Sequence, residues 1–160
     1  MPRIRILFDS QRLELLDDSN TILKTYPVST AEKGPGEEMG SYCTPRGRHV
    51  IRAKIGAGAQ VNSVFVERRP TGEVFTPELG AQYPDRDWIL TRILWLSGLE
   101  RGFNRGGSVD SMRRYIYIHG TPDRMPLGRS GSKGCIRMRN ADIIELFDLV
   151  PPGTEVEILA

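Results

Sequence analysis

Cysteine and histidine are nearly absent from this chain, with two of each among 160 residues. Cys43 and Cys135 cannot supply the dense disulfide framework of a small secreted domain, and a chain of this length buries enough surface to fold without one. No structural bridge between them is expected. Charge of one sign is missing too: 22 basic and 20 acidic residues leave a formal +2, which argues for neither a nucleic-acid partner nor a membrane surface. No apolar run approaches the ~20 residues of a spanning helix. The run Ile6-Leu7-Phe8, closed by Asp9, is too short for a signal-peptide core, so the expectation is a cytoplasmic protein. Repeats, low-complexity segments and linkers are lacking as well, which leaves one domain over residues 1–160.

What is present is mostly strand pattern. Arg3 to Phe8 and Arg12 to Leu15 alternate apolar with polar residues around a short turn and read as a hairpin, with Ile22 to Val28 as a third strand. Ser29 to Tyr42 has no usable periodicity, and His49 to Ile55 resumes a strand. Gln60 to Glu67 and Trp88 to Leu96 are rich enough in β-branched and aromatic residues for strands, separated by a polar excursion from Arg68 to Asp87 that could be a hairpin or a lid. One helix is clear, with Asn140 expected as its N-cap, Ile143, Ile144, Leu146, Phe147 and Val150 as its apolar stripe, and Pro151-Pro152-Gly153 as its stop. Glu155 to Ile158 closes the chain as a strand expected near a sheet edge. The class is mainly β, a barrel or sandwich with one helix near the C-terminus and few other short helices.

The scarce residues converge on one stretch. Tyr115-Ile116-Tyr117-Ile118-His119-Gly120 and Ser132-Lys133-Gly134-Cys135-Ile136-Arg137-Met138 flank a single Gly- and Ser-rich loop, placing a histidine at one end and a cysteine at the other. Strand alternation gives Ile116, Ile118, Ile136 and Met138 to the core and Tyr115, Tyr117, His119, Cys135, Arg137 and Arg139 to the opposite face. A thiol is mostly protonated at neutral pH, and a nearby imidazole raises its thiolate fraction. The carbonyl of Gly120 could hold the imidazole's other N–H and fix its tautomer, as a carboxylate does in a serine triad. The N–H groups of Gly134 and Cys135 could form an oxyanion hole. The chemistry expected is acyl transfer through Cys135, with His119 as acid and base.

Other readings are weaker. Cys43, His49, His119 and Cys135 are zinc-ligand types, but their spacing matches no compact ligand unit. Between Glu100 and Arg139, nine basic residues stand against three acids. Such a patch would orient a carboxylate substrate and favour the thiolate, with Arg137 as the preferred carboxylate ligand. An RNA-binding surface would carry the same charge, but the usual stacking modules are absent.

His119-Gly120-Thr121 followed by Ser132-Lys133-Gly134-Cys135-Ile136-Arg137-Met138-Arg139-Asn140-Ala141-Asp142 resembles the L,D-transpeptidase catalytic domain, also called the YkuD domain. Tyr26 to Thr30, Thr44 to Gly47 and Pro152-Gly153-Thr154 resemble further segments of that family. The resemblance implies a mainly β domain that needs no cofactor or metal and acts on peptidoglycan stem peptides. In it Cys135 forms a thioester at the third stem residue, commonly meso-diaminopimelate, and expels D-alanine while His119 protonates the leaving amine. Ser132, Lys133, Tyr117 and Arg137 are the expected substrate contacts. Lys133 stands where many members have a second histidine, and His49 where an aromatic residue is common. With a cytoplasmic setting, the resemblance implies an L,D-carboxypeptidase of soluble muropeptides, with transpeptidation or a catalytically silent wall-binding module as alternatives.

Overall fold

In the computed structural model, which describes residues 1–160, ten strands form one continuous sheet. They are β1 (Arg3–Leu7), β2 (Arg12–Leu16), β3 (Ile22–Ser29), β4 (Gly47–Ile55), β5 (Ser63–Val66), β6 (Arg69–Val74), β7 (Ile89–Gly98), β8 (Tyr117–Gly120), β9 (Ile136–Met138) and β10 (Glu155–Leu159). Two helices, α1 (Pro77–Gln82) and α2 (Asn140–Leu149), accompany them.

The order β4-β10-β1-β2-β3-β9-β8-β7 is closed by pairing of β7 with β4. Eight strands therefore form a barrel-like sheet, with the β5–β6 hairpin carried on β7 at Val64–Leu90 and Phe65–Ile89. Closure removes most free sheet edges. It also corrects the expectation for the last strand: β10 lies between β1, which it pairs in parallel, and β4, which it pairs antiparallel. Alternation could show that this segment is a strand but not where it inserts, because its partners lie more than a hundred residues away.

Apolar residues on the inner face do the holding. Ile4, Ile6, Leu13 and Leu15 from the first hairpin, Leu94 and Leu96 from β7, Ile116 and Ile118, Ile136 and Met138, and Ile143, Leu146 and Phe147 from α2 belong to one buried cluster. At about 1.5–3 kcal/mol for each fully buried aliphatic side chain, such a core needs no disulfide, and both cysteines are free. The helix starts one residue earlier than expected. Arg139 is the N-cap, and Asn140 sits inside the first turn with its side chain buried in a network of its own. The Arg68 to Asp87 excursion contains β6 and α1, so it is folded structure whose two ends return to the same place, described below.

Candidate active site

Two short parallel strands build the site. In the β8–β9 pair, Ile118 faces Ile136 and His119 faces Arg137, and the next position back sets Cys135 beside Tyr117. Cys135 and His119 are thus diagonal neighbours on one face, about 7 Å apart at their β-carbons by ordinary cross-strand geometry. The inner face of these strands takes the isoleucines, as alternation required. The outer face carries a second, smaller cluster of Phe65, Ile93 and Tyr117, against which Cys135 packs.

The outward face is not open water. His119 is 1% exposed and Arg137 7%, although alternation puts both on the face away from the core; the outer cluster and the neighbouring loops cover the strand there. Tyr115 does not continue the strand: its φ of +58° breaks the alternation, its side chain is exposed, and β8 begins two residues later.

The thiol is held at the mouth of a cleft. Its sulfur accepts the Tyr117 N–H at 3.3 Å and donates to the Tyr115 carbonyl at 3.3 Å. Burial pushes the thiol up to about 12, against the opposing effect of the Tyr117 N–H. His119 is shifted the other way by its own burial, which outweighs the nearby Asp87 charge. Both groups rest neutral. Desolvation thus works against the rise in thiolate fraction expected from the imidazole and the nearby cations.

His119 Nδ1 lies 2.7 Å from the Gly120 carbonyl, which assigns the proton to Nδ1 and leaves Nε2 as the base. Gly120 has no room for a side chain: a β-carbon there would collide with Asn140 Oδ1 and lie 2.6 Å from the Leu90 carbonyl. Asn140 Oδ1 in turn accepts the Thr91 hydroxyl at 2.6 Å, and its amide donates to Asn62 Oδ1 at 2.9 Å. Thr91 has φ +75° and lies in the bulge between the Leu90–Gly120 and Ile93–His119 pairs. A β-branched residue rarely adopts that conformation. Here the bulge brings the Thr91–Asn140 contact against the backbone that orients the imidazole.

The Ser132 to Cys135 loop differs from its expected use. Ser132 Oγ donates to the Cys135 carbonyl at 2.5 Å and accepts the Gly134 N–H at 3.2 Å. Its hydroxyl is consumed inside the loop, so Ser132 offers no free hydroxyl to a substrate. The same bond removes Gly134 N–H from the expected oxyanion pair, while the Cys135 N–H has no backbone or side-chain acceptor. Gly134 itself has φ +130° and packs on the Cys43 carbonyl, with its own carbonyl accepting Thr44 Oγ1 at 2.8 Å. A glycine is required there by conformation and by contact.

Eleven residues line the thiol cleft, among them Arg68, Asp87, Arg114, Tyr117, Lys133 and Cys135. Arg68 and Asp87, the two ends of the excursion, were missed in the sequence because each is far along the chain from the motif. Arg137, the favoured carboxylate ligand, pairs with Asp87 at 3.1 Å and donates to the Gly131 carbonyl at 3.1 Å. Its charge is already answered. Arg101 and Arg105 line a separate depression and Arg124 lies over Phe75, so the basic run is not one patch. Tyr117 is buried with its hydroxyl bonded to Arg68, and exposed Lys133 lies on the rim.

The zinc alternative fails on geometry. His49 is 0% exposed, with Nδ1 3.0 Å from the Gly47 carbonyl and Nε2 2.8 Å from Ser111 Oγ, and no group of three ligand-type side chains converges anywhere in the chain.

The family model "L,D-transpeptidase catalytic domain" matches residues 2–158. The chain is 33% identical over 131 residues to the probable L,D-transpeptidase YbiS of Escherichia coli, covering 76% of this chain and 42% of that protein. Over 46 residues it is 52% identical to the probable L,D-transpeptidase ErfK/SrfK of Salmonella typhimurium, 29% of this chain and 15% of that one. It therefore spans less than half the length of either relative. Among solved structures, L,D-transpeptidase 3 of Mycobacterium tuberculosis superposes with a TM-score of 0.60 at 16% identity, over 99% of this chain and 62% of that one. The L,D-transpeptidase of Mycobacterium smegmatis gives 0.58 at 19% identity, over 99% and 58%. These two likenesses concern the fold.

Proposed function

This chain belongs to the L,D-transpeptidase catalytic domain family, and from that premise we propose that Cys135 forms an acyl-enzyme on the peptide stem of peptidoglycan, at the bond between meso-diaminopimelate and terminal D-alanine. The observation that carries the reading is the thiol held at the cleft mouth between Tyr115 and Tyr117, diagonal to an imidazole whose Nδ1 is fixed by Gly120.

With both groups neutral, attack is coupled to proton transfer. As the bond from Sγ to the carbonyl carbon forms, the thiol proton passes to His119 Nε2. The carbonyl oxygen takes up negative charge beside the free Cys135 N–H, where a preformed donor is worth several kcal/mol, on the order of 3. The imidazolium then protonates the D-alanine nitrogen as the C–N bond breaks. In the second half water gives a proton to Nε2, its oxygen attacks the thioester, the C–S bond breaks and His119 returns the proton to sulfur.

Water as acceptor makes the reaction an L,D-carboxypeptidase that trims tetrapeptide stems to tripeptides, and the same proposal places it on soluble muropeptides in cytoplasmic recycling. What supports water is that Cys135 is partly exposed in its cleft, so solvent reaches the thioester without a second substrate. An amine acceptor is the second reading. It is favoured by a depression lined by Glu32, Lys33, Tyr42, Ser132 and Lys133, which shares Tyr42 and Lys133 with the thiol cleft and could seat a second chain. Purified protein incubated with a disaccharide tetrapeptide, with and without excess D-amino acid, separates the two by product mass. Tripeptide is expected; exchange or dimer products without tripeptide would sink the hydrolase reading.

A further inference from the structure

The turn between β5 and β6 is made of Glu67 and Arg68, with φ of +49° and +65°. A two-residue hairpin with positive φ at both positions ordinarily uses glycine or asparagine, so this turn carries side chains where backbone cost argues against them. The Arg68 side chain is clamped. Its guanidinium carbon lies 4.9 Å from the Trp95 ring centre and 4.6 Å from that of Tyr115, and Nη1 donates to the Tyr117 hydroxyl at 3.0 Å. Trp95 is itself fixed by an indole N–H bond to the Met112 carbonyl at 3.1 Å. The clamp is tied to the nucleophile, since Tyr115 offers its ring to Arg68 and its carbonyl to the thiol, and Tyr117 its hydroxyl to Arg68 and its N–H to the sulfur.

Other cations near the thiol are committed or loose. Arg137 is paired with Asp87. Arg114 spends its guanidinium on the carbonyls of Gly36, Glu37 and Cys43 and on Ser41 Oγ. Lys133 is exposed and makes no side-chain bond or ion pair, so holding an anion would cost its rotamer freedom. Arg68 has no carboxylate partner, its orientation is set by two rings and a phenol, and its remaining N–H groups are unbonded.

We infer that Arg68 is the specificity-determining anchor for a carboxylate carried by the acyl donor at the far end of the side chain whose own carbonyl Cys135 attacks. The reason for that choice of carboxylate is reach. Arg68 and the sulfur bond opposite ends of Tyr117, its hydroxyl and its backbone N–H, whereas the leaving residue's carboxylate lies only one carbon beyond the scissile nitrogen. The ligand class is therefore an acyl residue with a long, carboxylate-tipped side chain. The inference rests on the acyl-enzyme reading above.

The test compares stem tetrapeptides whose third-residue side-chain carboxylate is free or amidated, using the wild-type chain, Arg68→Gln, Arg68→Lys and Lys133→Gln. Charge-assisted recognition gives the wild type a preference in kcat/KM of roughly 10- to 100-fold for the free acid. Arg68→Gln is expected to remove that preference, with the larger loss on the free acid and through its KM. Arg68→Lys retains part of it, and Lys133→Gln most of it. Equal loss on both peptides, no loss, or a preference carried by Lys133 would overturn the assignment.

Alkylation supplies a readout independent of turnover: the rate ratio of iodoacetate to iodoacetamide at Cys135, resolved from Cys43 by peptide mass, in which thiolate fraction cancels. The ratio is expected to fall several-fold in Arg68→Gln, and an unchanged ratio contradicts the anchor. Should the wild type turn over neither peptide, the acyl-enzyme reading fails, and the alkylation ratio still decides whether Arg68 guides an anion to the thiol.

Discussion

His119 Nδ1 donates to the carbonyl of its own neighbour, Gly120, across 2.7 Å. The imidazole is thus oriented by backbone, and the quality of that backbone position depends on what packs against Gly120: the Asn140 carboxamide, the Leu90 carbonyl and the Thr91 side chain. The base of this site is held by a contact between sheet and helix.

Gly120→Ala puts a methyl group into that contact. Overpacking of about 1–3 kcal/mol is expected from the collision, read as a lower urea midpoint. The folded fraction should also lose turnover, since relief requires the Gly120 carbonyl or Asn140 to move. An alanine variant with wild-type stability and kcat would show that the contact is slack.

Asn140→Ala leaves the Thr91 hydroxyl and Asn62 carboxamide without their buried partner. A cost of about 1–3 kcal/mol in unfolding free energy is expected. Denaturation at neutral pH checks it, and a change within experimental error would mean the network is not holding the bulge.

Asp87 supports the imidazolium, because its charge raises His119 while Arg137 and burial lower it. Asp87→Asn should lower the His119 pKa further, slow the proton-transfer steps and reduce kcat. The fall should accompany a shift of the pH–rate profile. Unchanged kcat on the tetrapeptide would remove Asp87 from the chemistry.

Stability should fall on both sides of neutrality. Burial lowers His49 from its ordinary 6.5 to about 4 and lowers His119 as well. Unfolded histidines bind protons that the folded ones refuse, so their contribution is complete above about pH 6.5 and lost as pH falls toward 4, about 3 kcal/mol for His49 alone. Cys135 is raised to about 12; its share is complete below an unfolded thiol value of about 8.5 and is lost as pH climbs toward 12. Urea midpoints from pH 4 to 11 check both limbs. A flat acid limb would mean the two histidines are solvated.

Much of this was legible in local pattern. Alternation placed Ile116 and Ile118 opposite Tyr117 and His119, and β-branched and aromatic content identified β7. Closure of the barrel through β4 and β7, the interior place of β10 and the conformation of Tyr115 were not legible, because they depend on partners or dihedral angles that residue type does not encode. The pairing of Arg137 with Asp87 was hidden for the same reason: fifty residues separate them, and a cation's availability depends on who else reaches it. The one local hint of Arg68 is that Glu67-Arg68 links two strand-like segments without a glycine.

The central claim is a covalent intermediate on Cys135, and intact-protein and peptide mass spectrometry after acid quench of an incubation with stem tetrapeptide tests it most directly. The expected result is a thioester adduct equal to the stem lacking D-alanine, found on the Cys135 peptide of the wild type and of Cys43→Ala and absent from a folded Cys135→Ala. An adduct that persists in Cys135→Ala, or one that maps to Cys43, would contradict it.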